Sequence, residues 1–200
     1  MKKYFAVIFI LCLSILTFGQ NTHKFTWSKK SIYETTEINS GDSDCFYKEV
    51  YSNEERRNLF PFKSAAKVLI IFYLKGIDKS GEEEKVWHPL PIVNDSIQYD
   101  LIEEFRDLTN EQIDQLSDIL FNVGFQETKA LKDSRGCYNP RNGIIFLDNE
   151  GKPFAYIELC FECLGKKISP EEMNIGPFCI DKYFILKKYF TALGIKTESK

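Results

Sequence analysis

The sequence predicts an α+β domain: a mainly antiparallel sheet with two amphipathic helices packed on it, over about 109–123 and 178–193, and a β-hairpin over about 143–161. Three observations predict it. A dense β-branched and aromatic run, Lys67 to Leu74, ends at Gly76. Two strand-like runs flank Asn149-Glu150-Gly151. Two other segments repeat apolar residues at helical spacing between recognisable caps.

In chain order, Met1-Lys2-Lys3 followed by an almost unbroken apolar run from Tyr4 to Phe18 reads as a signal peptide, residues 1–19. That run falls short of the roughly 20 residues a bilayer span needs. Thr17 and Gly19 are the small residues a signal peptidase reads, so cleavage is expected before Gln20. Cys12 lies inside the apolar core behind Leu11, a poor context for lipid attachment, so a lipoprotein is not expected. The protein is read as exported, periplasmic or secreted, and soluble.

Residues 20–200 then form a single domain, with 20–66 a loosely ordered N-terminal segment. One short strand is expected within it, around Cys45 to Tyr51. Glu54-Glu55-Arg56-Arg57 reads as an exposed helical turn. Lys67 to Leu74 is a buried central strand. Asp78 to Lys85 is a polar loop, and the prolines of Val86 to Pro91 disfavour a central strand there. Ile97, Tyr99 and Leu101 alternate with polar neighbours as in an edge strand.

Thr109 with Gln112 forms a capping box ahead of the stripe Ile113, Leu116, Ile119, Leu120, and Gly124 is the expected C-terminal cap. Gly143 to Asp148 and Phe154 to Phe161 make a hairpin, with Gly151 in the left-handed position of its loop. Tyr183, Leu186, Phe190 and Leu193 mark the last helix, which starts near Pro177 and stops at Gly194.

Without Lys2 and Lys3 the chain keeps 24 basic against 29 acidic side chains, a net charge of about −5. Nucleic acid and anionic lipid, which need a basic face, are therefore not expected partners. No segment after the signal is long and apolar enough for a stable membrane span. The 17 phenylalanines and 10 tyrosines predict an aromatic core.

Five cysteines follow the signal: Cys45, Cys137, Cys160, Cys163 and Cys179. If Asp148 pairs with Lys152 and the ladder runs on without interruption, Cys137 falls opposite Cys163 and Cys160 opposite Pro140. Cys179 opens the last helix on its buried stripe, so docking that helix on the hairpin brings Cys137, Cys160, Cys163 and Cys179 together. Disulfides lead among the readings, because exported proteins fold under oxidising conditions. A four-cysteine zinc site on the same residues is second, and zinc is the one cofactor it would bring. Thiol redox chemistry at Cys160-Phe161-Glu162-Cys163 is third, since the motif ends a strand rather than opening a helix. Cys45 is left without an assigned partner.

Arg141 falls near Glu158 in the same register. A cross-strand ion pair is favoured there over an anion-binding or catalytic pair. Alternation places Glu158 and Glu162 on the solvent side. His23 and His88 have no nucleophile tied to them, and no phosphate-binding, dinucleotide or metalloprotease motif occurs. No catalytic residue is assigned, and nothing in the sequence marks an enzyme.

Cys137-Tyr-Asn-Pro-Arg-Asn-Gly-Ile-Ile-Phe146, Gly151-Lys152 and Ala155 to Cys163 resemble a group of uncharacterised exported proteins of flavobacteria and their relatives. So do the helix before them and the Gly-Pro-Phe-Cys start of the last helix, Gly176 to Cys179. The resemblance covers roughly the C-terminal half. It implies an exported bacterial domain in which the four cysteines belong together, and it implies no activity. The chain departs from several relatives at Asn142, where they carry histidine. The resulting expectation is an exported, non-enzymatic binding or structural protein stabilised by its cysteine cluster. A metal-binding or thiol-redox protein using the same cysteines is the alternative.

Overall fold

A computed structural model describes residues 45–73, 90–125 and 138–197. The expected signal peptide, the polar loop 78–85, Cys137 and both histidines lie outside the described residues. The fold is α+β, as the sequence predicts. Its centre is a five-stranded antiparallel sheet in the order β5 (Ile102–Asp107), β2 (Lys67–Tyr73), β7 (Asn142–Leu147), β8 (Pro153–Cys160) and β9 (Gly165–Ser169). Two small ribbons complete the strands: β1 (Cys45–Tyr47) with β6 (Val123–Phe125), and β3 (Ile92–Val93) with β4 (Ser96–Ile97). Three helices are described: α1 (Asn53–Arg57), α2 (Asn110–Asn122) and α3 (Ile180–Ala192).

The sheet is buried on both faces in its middle, which is why β2 and β7 read as continuous apolar runs rather than alternating ones. On the first face Val68, Ile70, Phe72, Ile144, Phe146, Ile157 and Leu159 meet Leu116, Ile119 and Leu120 of α2 and Tyr183, Leu186 and Phe190 of α3. Each such side chain, fully buried, contributes about 1.5–3 kcal/mol relative to exposure. On the second face Leu69, Ile71, Tyr73, Ile145 and Leu147 are covered by Leu90, with Ile92 and Ile97 of the β3–β4 ribbon packed beside it.

Several expectations are corrected. The edge strand expected at 97–101 is instead β5, which begins directly after it at Ile102, while Tyr99–Leu101 make a 3-10 turn. Its charged residues hid it, yet charge is what protects an exposed sheet edge. Thr109 and Gln112 form the capping box of α2, but Gly124 is no left-handed cap. The helix runs straight into β6, and a side-chain carbon at Gly124 would lie 2.5 Å from Pro177 Cγ. Gly194, with φ +78°, does end α3.

Residues 45–66, read as loosely ordered, pack through Phe62 and the capped helix α1. The charge run in α1 is only partly exposed. Arg56 is buried, with Nη1 3.2 Å from Asp118 Oδ1 and 2.8 Å from the carbonyl oxygen of Tyr51, and its Nε donates to Ser117 Oγ. A basic residue in a short polar helix carries no sequence signal for this; its partner is 62 positions away.

Candidate functional site

The second face of the sheet carries a polar cluster at the end where β2, β7 and β8 run together. The hairpin starts in the expected register, with the N–H of Asp148 donating to the carbonyl of Lys152 at 3.0 Å and Leu147 opposite Pro153. A bulge between Phe146 and Leu147 then shifts the ladder by one residue. Beyond it Gly143 faces Glu158 and Asn142 faces Leu159, so continuing the ladder sets Arg141 beside Cys160. On the other side the N–H of Tyr73 donates to the carbonyl of Arg141 at 2.9 Å. Tyr73, Arg141, Glu158 and Cys160 therefore share one face by alternation.

Glu158 is 1 % exposed, not on the solvent side where alternation placed it. Gly143 opposite leaves the room for this, and Leu90 fills that room, since a side-chain carbon at Gly143 would collide with Leu90 Cδ1. The hydroxyl of Tyr138 donates to Glu158 Oε1 at 2.8 Å, the N–H of Leu90 donates to Oε2 at 2.8 Å, and the hydroxyl of Tyr73 reaches Oε2 at 3.5 Å. Burial pushes the carboxyl above its ordinary range, against the opposing pull of Tyr138, Leu90, Lys167 and Tyr73. Burial and the neighbouring Glu158 likewise raise the phenols of Tyr73 and Tyr138, so both remain donors.

Arg141 does not complete the expected pair. The ion pairs among the described residues do not join it to Glu158, whose oxygens take the three donors above. Its Nε is buried without a hydrogen-bond partner among the described residues. A buried donor left unmade costs about 1–3 kcal/mol, more when the group is charged. Asn142, on the opposite face, is fully committed to structure: its Nδ2 donates to the carbonyls of Ile71 at 3.2 Å and Lys196 at 2.7 Å.

The cysteines separate by state. β8 ends at Cys160, which pairs with Gly165 across the tight connection to β9. Cys160 is a free, buried thiol. Cys163 lies inside that connection, just before Leu164 at φ +52°, and Cys179 is the N-cap of α3; both are disulfide-bonded. Cys163 thus does not continue the β7–β8 ladder, because that ladder has ended and the chain is already turning. Cys137 lies outside the described residues, but its neighbour Tyr138 rests on Gly165, whose side-chain carbon would sit 2.8 Å from the Tyr138 ring. The ammonium groups of Lys166 and Lys182 lie 5.1 and 4.7 Å from the ring centre of Phe178, which sets β9 beside the start of α3. Glu162 is exposed.

The chain matches no known family model, no curated protein and no solved structure.

A concavity lies on the helix side. It is a mainly apolar groove of about 730 Å³ lined by Tyr51, Phe60, Phe121, Val123, Met173 and Pro177, among others. At its floor Asn122 accepts from the N–H groups of Val50 and Tyr51 and donates to Tyr51 and Asp118, so its amide is occupied. None of the described helices is long and apolar enough to cross a membrane. Among the described residues no group of three or more histidine, cysteine or acidic side chains is arranged to hold a metal ion.

Sequence reasoning missed Tyr73, Tyr138 and Leu90 as partners of Glu158. Its one usable signal was Gly143, a strand glycine that marks a close approach by another group.

Proposed function

We propose that this protein is an exported, non-enzymatic binding or structural domain of the cell envelope or secreted fraction, stapled by disulfides where the β8–β9 turn meets the start of α3. One observation carries this reading: Cys163 and Cys179 are in disulfides while Cys160, in the same C-x-x-C, keeps a buried free thiol. A dithiol redox centre works by interconverting its two cysteines as a pair, and zinc takes thiolates rather than disulfide sulfurs. Staples of this kind add about 2–4 kcal/mol each and suit an oxidising compartment. The N-terminal signal pattern and the resemblance of the C-terminal half to exported bacterial proteins support the same address. Cys137, next to the Tyr138 that rests on β9, is the expected partner of Cys163. Cys45, on a strand that contacts α3, is the expected partner of Cys179.

The test is the intact mass and peptide map of the full chain expressed with its own leader in a bacterium. The mature protein should begin at Gln20. Alkylation in denaturant without reductant should modify Cys160 alone; after reduction all five remaining cysteines should react. Five adducts without reduction would overturn the staple. Stoichiometric zinc would establish the metal alternative, and retention of Met1 would overturn export.

A further inference from the structure

We propose that the groove on the helix side is a binding site for an uncharged small molecule with an aromatic or aliphatic body. Its space of about 730 Å³ falls within the range of small-molecule sites, roughly 300–1,000 Å³. Two stretches of chain, Lys48 to Tyr51 and Pro170 to Pro177, supply much of its lining, together with Phe60 and Phe121. Val50 and Pro177 are exposed, and Tyr51, Leu59 and Phe60 are part-exposed, so the walls are within reach of solutes. Both stretches are held by buried polar side chains. Asn122 accepts from the N–H groups of Val50 at 3.1 Å and Tyr51 at 3.0 Å, and donates to the Tyr51 carbonyl at 3.0 Å. Lys182 donates to the carbonyl of Pro177, whose ring lies against Gly124. The groove is thus formed before any ligand arrives, which lowers the cost of binding.

The hydrogen bonds already made in the groove select the ligand. The N–H groups of Val50 and Tyr51 go to Asn122 Oδ1, that of Met173 to the Pro170 carbonyl and that of Gly176 to Asn174 Oδ1. Pro170 and Pro177 have no N–H. An extended peptide, which is recognised through main-chain hydrogen bonds, finds none of these donors open. The amide of Asn122 is taken by Val50, Tyr51 and Asp118, so the floor offers nothing to pair with an ion, and an unpaired buried charge is strongly disfavoured. The charged residues of the lining are Lys48 and Glu172, one of each sign and both exposed, so together they favour no net charge. What remains is the aromatic and aliphatic surface of Tyr51, Leu59, Phe60, Phe121 and Met173, which suits a flat apolar body. The site deepens the binding reading proposed above, on which it rests, and is independent of the staple.

The test is a fluorescence titration of the mature, disulfide-intact protein with phenylnaphthylamine, which is uncharged, and with anilinonaphthalene sulfonate, the same rings carrying a sulfonate. The sample's non-reduced mass, its N-terminus and its sedimentation are recorded first, so failure of the staple or of export shows separately from failure of the site. One saturable site for phenylnaphthylamine on a monomer is expected, and the sulfonate should bind about tenfold or more weaker. Val50→Glu, at an exposed wall position, and Leu59→Glu should each weaken phenylnaphthylamine binding about tenfold or more, because each sets a carboxylate against the apolar body. Wild-type protein without a saturable site would overturn the proposal. So would preference for the sulfonate, or undiminished binding in Val50→Glu. A dimer in which the probe finds no site would give the groove to a second copy and overturn it as well. If Leu59→Glu does not fold, the comparison of Val50→Glu with wild type decides.

Discussion

The ammonium of Lys182 in α3 lies 2.8 Å from the carbonyl oxygen of Leu120 in α2 and also donates to the carbonyl of Pro177. Leu120 is in the last turn of a helix that passes directly into a strand, so its carbonyl has no partner within the helix. A buried lysine supplies that partner, at the helix end where the backbone dipole favours a cation. No carboxylate among the described residues forms an ion pair with it, and it has no solvent exposure. Gly176 belongs to the same arrangement, because its α-carbon stands where a side chain would strike the Leu120 oxygen.

Burial holds the Lys182 ammonium well below the ordinary lysine range, with Lys166 adding to the effect. Between that depressed value and the ordinary one the unfolded chain binds one more proton than the folded chain, so stability should rise with pH across this window. The urea midpoint of the wild type should therefore climb as pH rises from the depressed folded value toward about 9.5, below the ionisation of free tyrosine. Lys182→Met should lose the climb, and parallel curves for the two proteins would refute this account.

Glu158 has the opposite dependence. Its folded carboxyl titrates above its ordinary value, so its contribution is complete below about pH 4.3 and is lost as pH rises through the folded value. Glu158→Gln removes that loss. Relative to wild type, the variant should gain stability as pH rises from about 4.3 through the raised folded value. Chemical denaturation at four pH values across that range measures it.

The Arg56–Asp118 pair is buried on both sides and joined by Ser117, Tyr51 and Asn122. Removing one partner leaves the other charge unmatched, so Arg56→Met or Asp118→Ala should each cost about 3–5 kcal/mol. The double variant should cost clearly less than the two losses added. Simple additivity in urea unfolding would show that the two charges do not act as a pair.

Two glycines with φ near +75° give a control for the crossing of α2 and α3. Gly151, at φ +78° in the hairpin loop, has nothing within 4 Å of a side-chain carbon, so Gly151→Ala should cost only the backbone penalty of about 1–2 kcal/mol. At Gly176, φ +72°, the added carbon would lie 2.5 Å from the Leu120 oxygen and would press on the lysine contact. Gly176→Ala should be the more destabilising by at least about 1 kcal/mol; equal thermal shifts would argue against the close crossing.

The sequence by itself determined the fold class, the Thr109–Gln112 start of α2, the Gly151 hairpin and the Gly194 end of α3. Each is written in residues within a few positions of one another, through periodicity, caps and backbone conformation. Only the tertiary structure decided the site. A bulge at Phe146 and Leu147 moved Arg141 beside Cys160 and left Glu158 to Tyr138, Tyr73 and Leu90. Pairing arithmetic cannot foresee an inserted residue in one strand. Glu158 and Arg56 read as solvated charges because burial of a charge depends on partners, and theirs lie 20 to 85 and about 60 residues away. Local pattern sets the elements; the distant partners that make a buried charge tolerable exist only once those elements have packed.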